Sequence, residues 1–247
     1  MQSIARELLG YVDLTTLNAT DTNASVNELT EKAVEWACED MPVAAVCVFP
    51  IFAAMVKYKL EGTGVHTAVV AGAFPHGQTY DGVKKLEVEL AASESVDDID
   101  IVLNRSLFLS QDYDACRNEI KMLKIAAGST KLKVILETGE LITEANIRAA
   151  SRIAIEAGAD FIKTSTGKCA VGATEDAVRI MCQEIVTHFE TTGNKVGIKV
   201  SGGIRTFDDA VMYRNIVKEM LGDTWLNSTY FRIGASSLAD ELVNMLK

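Results

Sequence analysis

The stretch Val196-Gly-Ile-Lys-Val-Ser-Gly-Gly-Ile-Arg-Thr-Phe-Asp-Asp-Ala210 holds one complete strand, turn and helix start. Val196–Val200 is apolar on both faces apart from Lys199, as in a parallel strand covered on each side. Ser201-Gly202-Gly203 breaks the run. Thr206 and Asp209 then have the spacing of a capping box, ahead of the apolar stripe Ala210, Tyr213, Val217 and Met220.

Outward from this unit the pattern repeats. Gly10–Asp13, Val43–Val48, Thr67–Ala71, Ile99–Leu103, Leu132–Leu136, Ala159–Lys163 and Tyr230–Gly234 are short Val- and Ile-rich runs, each followed by a turn and a helix-like stretch. A helix is predicted from about Thr143 to Gly158, a good left-handed terminator. Another follows Thr174, with Val178, Met181, Cys182, Ile185 and Phe189 on one face. Eight strand–helix units in about 250 residues predict an α/β fold, a single (β/α)8 TIM barrel over residues 1–247 with a short N-terminal helix. An open doubly wound sheet fits less well. No Gly-x-Gly-x-x-Gly follows the first run, and the units fill the chain evenly.

Composition narrows the function classes. Net charge is −10, from 34 acids against 24 bases, which argues against nucleic acid or an anionic membrane as partner. No apolar run is long enough to cross a bilayer, and the N-terminus lacks the apolar core of a signal peptide. The five cysteines are scattered without a Cys-x-x-Cys pair, so a reducing, cytoplasmic setting is expected. His66, His76 and His188 lack metal-ligand spacing, and no metal or other cofactor is expected.

Charges inside apolar runs carry the chemistry. Lys163 closes Asp-Phe-Ile-Lys, Lys199 closes Gly-Ile-Lys, and Asp100 lies within Asp-Ile-Asp-Ile-Val. Buried charges must be paired, exposed at a strand end or functional. Consecutive strands bring the two lysines together, and repulsion plus burial lower a lysine pKa, which makes a carbonyl-attacking amine. Asp100 then moves protons. The alternative is a salt-bridge network with no chemistry. Two glycine loops favour the catalytic reading: Ser201-Gly202-Gly203-Ile204-Arg205 and Gly234-Ala235-Ser236-Ser237 occupy the places after strands seven and eight where barrels bind phosphate. Thr164-Ser165-Thr166-Gly167-Lys168 adds hydroxyls, a flexible backbone and a third lysine. Cys47 is expected in the core or lining the pocket, and His76 at the mouth or in a structural loop.

Taken together, Asp13-Leu-Thr-Thr-Leu-Asn18, Phe74-Pro-His-Gly77, Val134-Ile-Leu-Glu-Thr-Gly-Glu-Leu141, Ala157-Gly-Ala-Asp-Phe-Ile-Lys-Thr-Ser-Thr-Gly-Lys168 and Gly197-Ile-Lys-Val-Ser-Gly-Gly-Ile-Arg-Thr206 resemble the deoxyribose-phosphate aldolase family. The resemblance runs nearly the whole chain. It implies a metal-independent barrel enzyme that cleaves 2-deoxy-D-ribose 5-phosphate reversibly to acetaldehyde and D-glyceraldehyde 3-phosphate, in deoxynucleoside catabolism. It implies a Schiff base on Lys163, with Lys199 depressing its pKa and Asp100 as proton partner. Gly202, Gly203, Arg205, Ser236 and Ser237 would hold the phosphate, and Asp13, Thr166 and Lys168 would lie near the sugar hydroxyls. Two departures are Val200, where some members have Pro, and an end at Lys247, where some carry a flexible tail; a changed rate rather than a changed reaction is expected. Other aldehyde specificities, and a non-catalytic phosphosugar-binding protein, are the competing readings. Small phosphosugars and aldehydes are the expected partners, with a homodimer or higher homo-oligomer left open.

Overall fold

The computed structural model describes residues 1–247. The order of elements is α1 (Gln2–Leu9), β1 (Val12–Thr15), α2 (Asn23–Cys38), β2 (Ala45–Val48), α3 (Ala53–Leu60), β3 (His66–Val70), α4 (Asp81–Ser93), β4 (Asp98–Val102), α5 (Arg105–Leu109), α6 (Tyr113–Ala127), β5 (Lys131–Ile135), α7 (Thr138–Leu141), α8 (Glu144–Glu156), β6 (Phe161–Lys163), α9 (Glu175–Thr192), β7 (Gly197–Ser201), α10 (Phe207–Leu221), β8 (Phe231–Ala235) and α11 (Leu238–Leu246). The eight strands are parallel, pair in sequence order, and close through β1 and β8. The (β/α)8 barrel predicted from the runs is the fold observed.

Local chemistry sets the helix starts. Thr22, Asp112, Thr143, Thr174 and Thr206 each accept from a backbone N–H three residues on. Such caps contribute about 1 kcal/mol each. The predicted capping box at Thr206 and Asp209 is present, as is the terminator Gly158 at φ +95°. The first strand starts two residues later than its apolar run, because Gly10 still has helical backbone (φ −65°, ψ −5°) and its N–H closes α1.

The main hydrophobic core lies between the barrel wall and the helix ring, a cluster of 65 buried residues. The lumen is different. Side chains alternate along a strand, and the registers Asp100 beside Lys133, Phe161 beside Gly197, Lys163 beside Lys199 and Lys199 beside Arg232 carry one alternation around the wall. That alternation turns Asp13, Cys47, Asp98, Asp100, Lys133, Lys163, Lys199 and Arg232 inward. The floor is made by Phe161, whose ring occupies the space over β7. A Cβ at Gly197 would stand 2.4 Å from that ring, so only glycine fits there.

Candidate active site

The lumen is a packed lattice of charge. Asp13, Asp98, Asp100, Lys133, Lys163, Lys199 and Arg232 are all at least 97% buried. One oxygen of Asp100, Oδ2, accepts from both Lys163 Nζ and Lys199 Nζ, each at 2.8 Å. Lys199 also meets Asp13 Oδ2 at 2.5 Å. Below them Arg232 donates to the other Asp13 oxygen at 2.7 Å, and Lys133 lies 3.0 Å from Asp98 and 3.3 Å from Asp100.

Counting charge decides which group gives way. Three carboxylates face four cations, so the lattice carries one proton too many for neutrality. Isolated charge in a dry interior is costly, and the usual outcome is that a group neutralises instead. Lys163 touches one carboxylate, whereas Lys199 touches two. At an effective dielectric of ~20, a unit ion pair at ~4 Å is worth about 4 kcal/mol, roughly three pKa units. The second carboxylate therefore makes Lys163 the lysine that holds its proton less tightly.

The titration directions agree. Burial is the largest influence on Lys163 and pushes it down; Asp100 opposes this and Lys199 adds to the lowering. Burial acts on Lys199 in the same sense, but Asp100 and Asp13 outweigh it and hold Lys199 above the lysine range. Burial alone would raise Asp100, yet the ammoniums of Lys163, Lys199 and Lys133 keep it well below the carboxylate range. Of the two lysines, Lys163 is thus the one displaced towards the free amine, the form that attacks carbonyls.

Above Lys163 the barrel mouth opens into a cavity of about 370 Å³. Its walls come from the loop after β1 (Thr15–Asn18), from Thr166–Lys168 after β6, from Ser201–Arg205 after β7, and from Gly234–Ser236 at the end of β8. Gly202 and Gly203 take left-handed φ values of +91° and +85°. Ser237, just outside the lining, is exposed and stands at the N-cap position of α11 without a side-chain capping bond. A Cβ at Gly234 would meet Ser201 Cβ at 2.8 Å and Lys199 Cε at 3.2 Å, so this glycine leaves room for the Lys199 stem. Lys168 and Arg205 line the cavity and, like Lys121, Lys131 and Lys195, take part in no ion pair. In a chain of net charge −10, free cations at the mouth create the local positive potential that an anionic ligand needs.

Most predicted residues converge here, and some details differ. Asp13 was expected near substrate hydroxyls. Its carboxylate instead lies below the cavity floor, without exposed surface, clamped between Lys199 and Arg232. The reason is height: Asp13 is an inward residue at mid-barrel, and Thr15 and Thr16 reach the mouth in its place. Thr166 lines the cavity, but its hydroxyl donates to Glu137 at 2.5 Å. Cys47 is fully buried in the apolar lumen cluster with Ala45, Ala68 and Val70, where burial raises its thiol pKa. His76 borders a neighbouring recess of about 400 Å³ with Arg105 and Lys168. Lys133, Arg232 and Asp98 were passed over, although Lys133 and Arg232 sit at inward positions of runs already identified as strands.

Comparison with known proteins places this geometry. Residues 8–239 match the DeoC/LacD family aldolases. A putative deoxyribose-phosphate aldolase of Caenorhabditis elegans is 44% identical over 245 residues, covering 98% of this chain and 81% of that protein. The deoxyribose-phosphate aldolase of Homo sapiens is 42% identical, covering 94% and 77%. Among solved structures, the deoxyribose phosphate aldolase of Aeropyrum pernix, described as a unique tetramer, superposes with a TM-score of 0.76 at 26% identity, covering 97% of this chain and 91% of that one. A closed eight-stranded barrel that matches the family over residues 8–239, with relatives at 42–44% identity along nearly its whole length, belongs to the DeoC/LacD aldolases.

Proposed function

We propose that the chain is a deoxyribose-phosphate aldolase, cleaving 2-deoxy-D-ribose 5-phosphate reversibly to acetaldehyde and D-glyceraldehyde 3-phosphate through an imine on Lys163. The observation that carries this reading is the single Asp100 oxygen shared by Lys163 and Lys199 beneath a cavity with two unpaired cations.

The steps follow from the groups present. Neutral Lys163 Nζ adds to the C1 aldehyde of the open-chain sugar. Asp100, in contact with that nitrogen, accepts the proton released, and the carbinolamine oxygen leaves as water once protonated. Asp100, having passed that proton to the departing water, takes the C3 hydroxyl proton as the C2–C3 bond electrons move to the iminium nitrogen. Glyceraldehyde 3-phosphate departs and an enamine remains on Lys163. Protonation at C2 and hydrolysis release acetaldehyde and restore the amine. Lys199, kept charged by two carboxylates, supplies fixed positive potential to the oxyanions that develop. Gly202, Gly203, Arg205 and the Gly234–Ser237 turn at the start of α11 hold the phosphate; Lys168, expected near the sugar hydroxyls, is instead assigned with Gly167 to the opposite side of the phosphate, because it lines the same cavity as Arg205 as a second unpaired cation. This reading gives the enzyme a role in deoxynucleoside breakdown; scattered free cysteines support a cytoplasmic setting, and the A. pernix structure, described as a tetramer, supports a homo-oligomer.

Borohydride reduction with acetaldehyde, followed by peptide mass mapping, tests the reading. The expected product is an ethyl adduct on Lys163, with turnover unaffected by EDTA. An adduct on Lys199, or no adduct, would overturn it.

A further inference from the structure

Glu137 bears two costs at once. It ends the segment that continues β5, and its backbone is left-handed (φ 58°, ψ 60°), a region that non-glycine residues seldom occupy. Its carboxylate has no exposed surface and takes part in no ion pair. Strain and a buried acid without a cationic partner at one position point to a function that requires both.

The contacts identify that function. Thr166 donates to Glu137 twice, from its backbone N–H at 3.2 Å to Oε1 and from its hydroxyl at 2.5 Å to Oε2. The same hydroxyl oxygen accepts from the N–H of Lys168 at 3.0 Å. On either side of Glu137, Leu136 N–H donates to Lys163 O and Thr138 N–H to Thr164 O. The left-handed turn lets both neighbours grip the β6 extension while the side chain between them reaches Thr166. The chain Glu137–Thr166–Lys168 thus fixes a loop whose Gly167 would otherwise let it wander, and it begins next to the nucleophile.

We infer that Glu137 is a positioning residue of this site: through Thr166 it sets the loop that presents Lys168 to the anionic end of the substrate. The inference rests on the aldolase reading above. It makes Thr166 an intermediary, with its hydroxyl proton committed to Glu137 and not to substrate.

The test compares Glu137→Met, which keeps length but removes both acceptor oxygens, with Glu137→Gln, which keeps one. Glu137→Met should raise KM for 2-deoxyribose 5-phosphate by about tenfold or more, with a smaller change in kcat, because misplacing a binding group weakens orientation. Trapping of acetaldehyde on Lys163 should stay within about twofold, since that donor has no anionic end. Glu137→Gln should recover most of the KM. In a Lys168→Ala background, Glu137→Met should add little. Equal loss of trapping and turnover, or full multiplication with Lys168→Ala, would overturn the inference, as would an unchanged KM. If Glu137→Met does not fold, Thr166→Val must reproduce the KM rise and Thr166→Ser must not. Failure of the aldolase reading itself would appear separately, as absence of turnover in the unmodified chain.

Discussion

Lysines are buried against carboxylates in two separate parts of this molecule, with different consequences. Between α4 and α6, outside the barrel, Lys84 Nζ meets Glu119 Oε2 at 2.6 Å, with Asn104 donating to the same oxygen at 3.0 Å. One cation meets one anion and the pair is closed. Inside the barrel, Lys163, Lys199, Lys133 and Arg232 share Asp13, Asp98 and Asp100, and one cation is in excess. Burial is nearly complete in both places. The difference lies in the imbalance: the surplus cation weakens the hold on the proton of the lysine with the fewest anionic neighbours, Lys163.

Substitutions can break this contrast. The largest effect is expected from Lys163→Met, which should lower kcat/KM by at least about 10⁴-fold and abolish acetaldehyde trapping. Asp100→Asn should follow, at about 10³-fold, because it removes the acid between the two nitrogens and leaves two surplus cations. Lys199→Met gives a sharper result. It balances the lattice with Lys163 protonated, so kcat/KM near neutral pH should fall by about 10²-fold. On the proposed imine mechanism Lys163 reacts as the free amine, so activity should rise with pH through its lowered pKa. In Lys199→Met that limb should move to higher pH, and activity should recover in alkaline buffer. A limb that stays in place would show that burial alone, without Lys199, tunes the nucleophile. The smallest effect on catalysis should come from Glu119→Gln. Its kcat/KM should remain within about twofold, while unfolding in urea shows a loss of about 3 kcal/mol from the broken buried pair.

The fold was legible because each strand of a covered parallel sheet must be a short apolar run, and eight such runs with capped helices between them leave few architectures. Lys163, Lys199 and Asp100 were legible for the converse reason, as charges where apolar residues were due. The same signal was present at Lys133 and Arg232. They were missed because a charge in mid-run suggests an edge or an error until the alternation around the closed barrel turns it inward. Asp13 was placed too high for a related reason: its polarity was visible in sequence, but its depth depends on the stagger of β1 against β2 and β8. Glu137 could not be recognised from pattern at all. Its meaning lies in a left-handed backbone and a partner 29 residues away, and both are properties of the folded chain.

Lys163's reactivity is ascribed to the order of two titrations in one buried lattice, and that order can be measured in the unliganded protein. Nuclear magnetic resonance of the lysine ε-carbons and ζ-nitrogens, assigned through Lys163→Met and Lys199→Met, follows both groups across pH. Lys163 should titrate below the ordinary lysine range while Lys199 stays charged beyond it. A Lys163 that holds its proton as long as Lys199, or longer, would contradict the account.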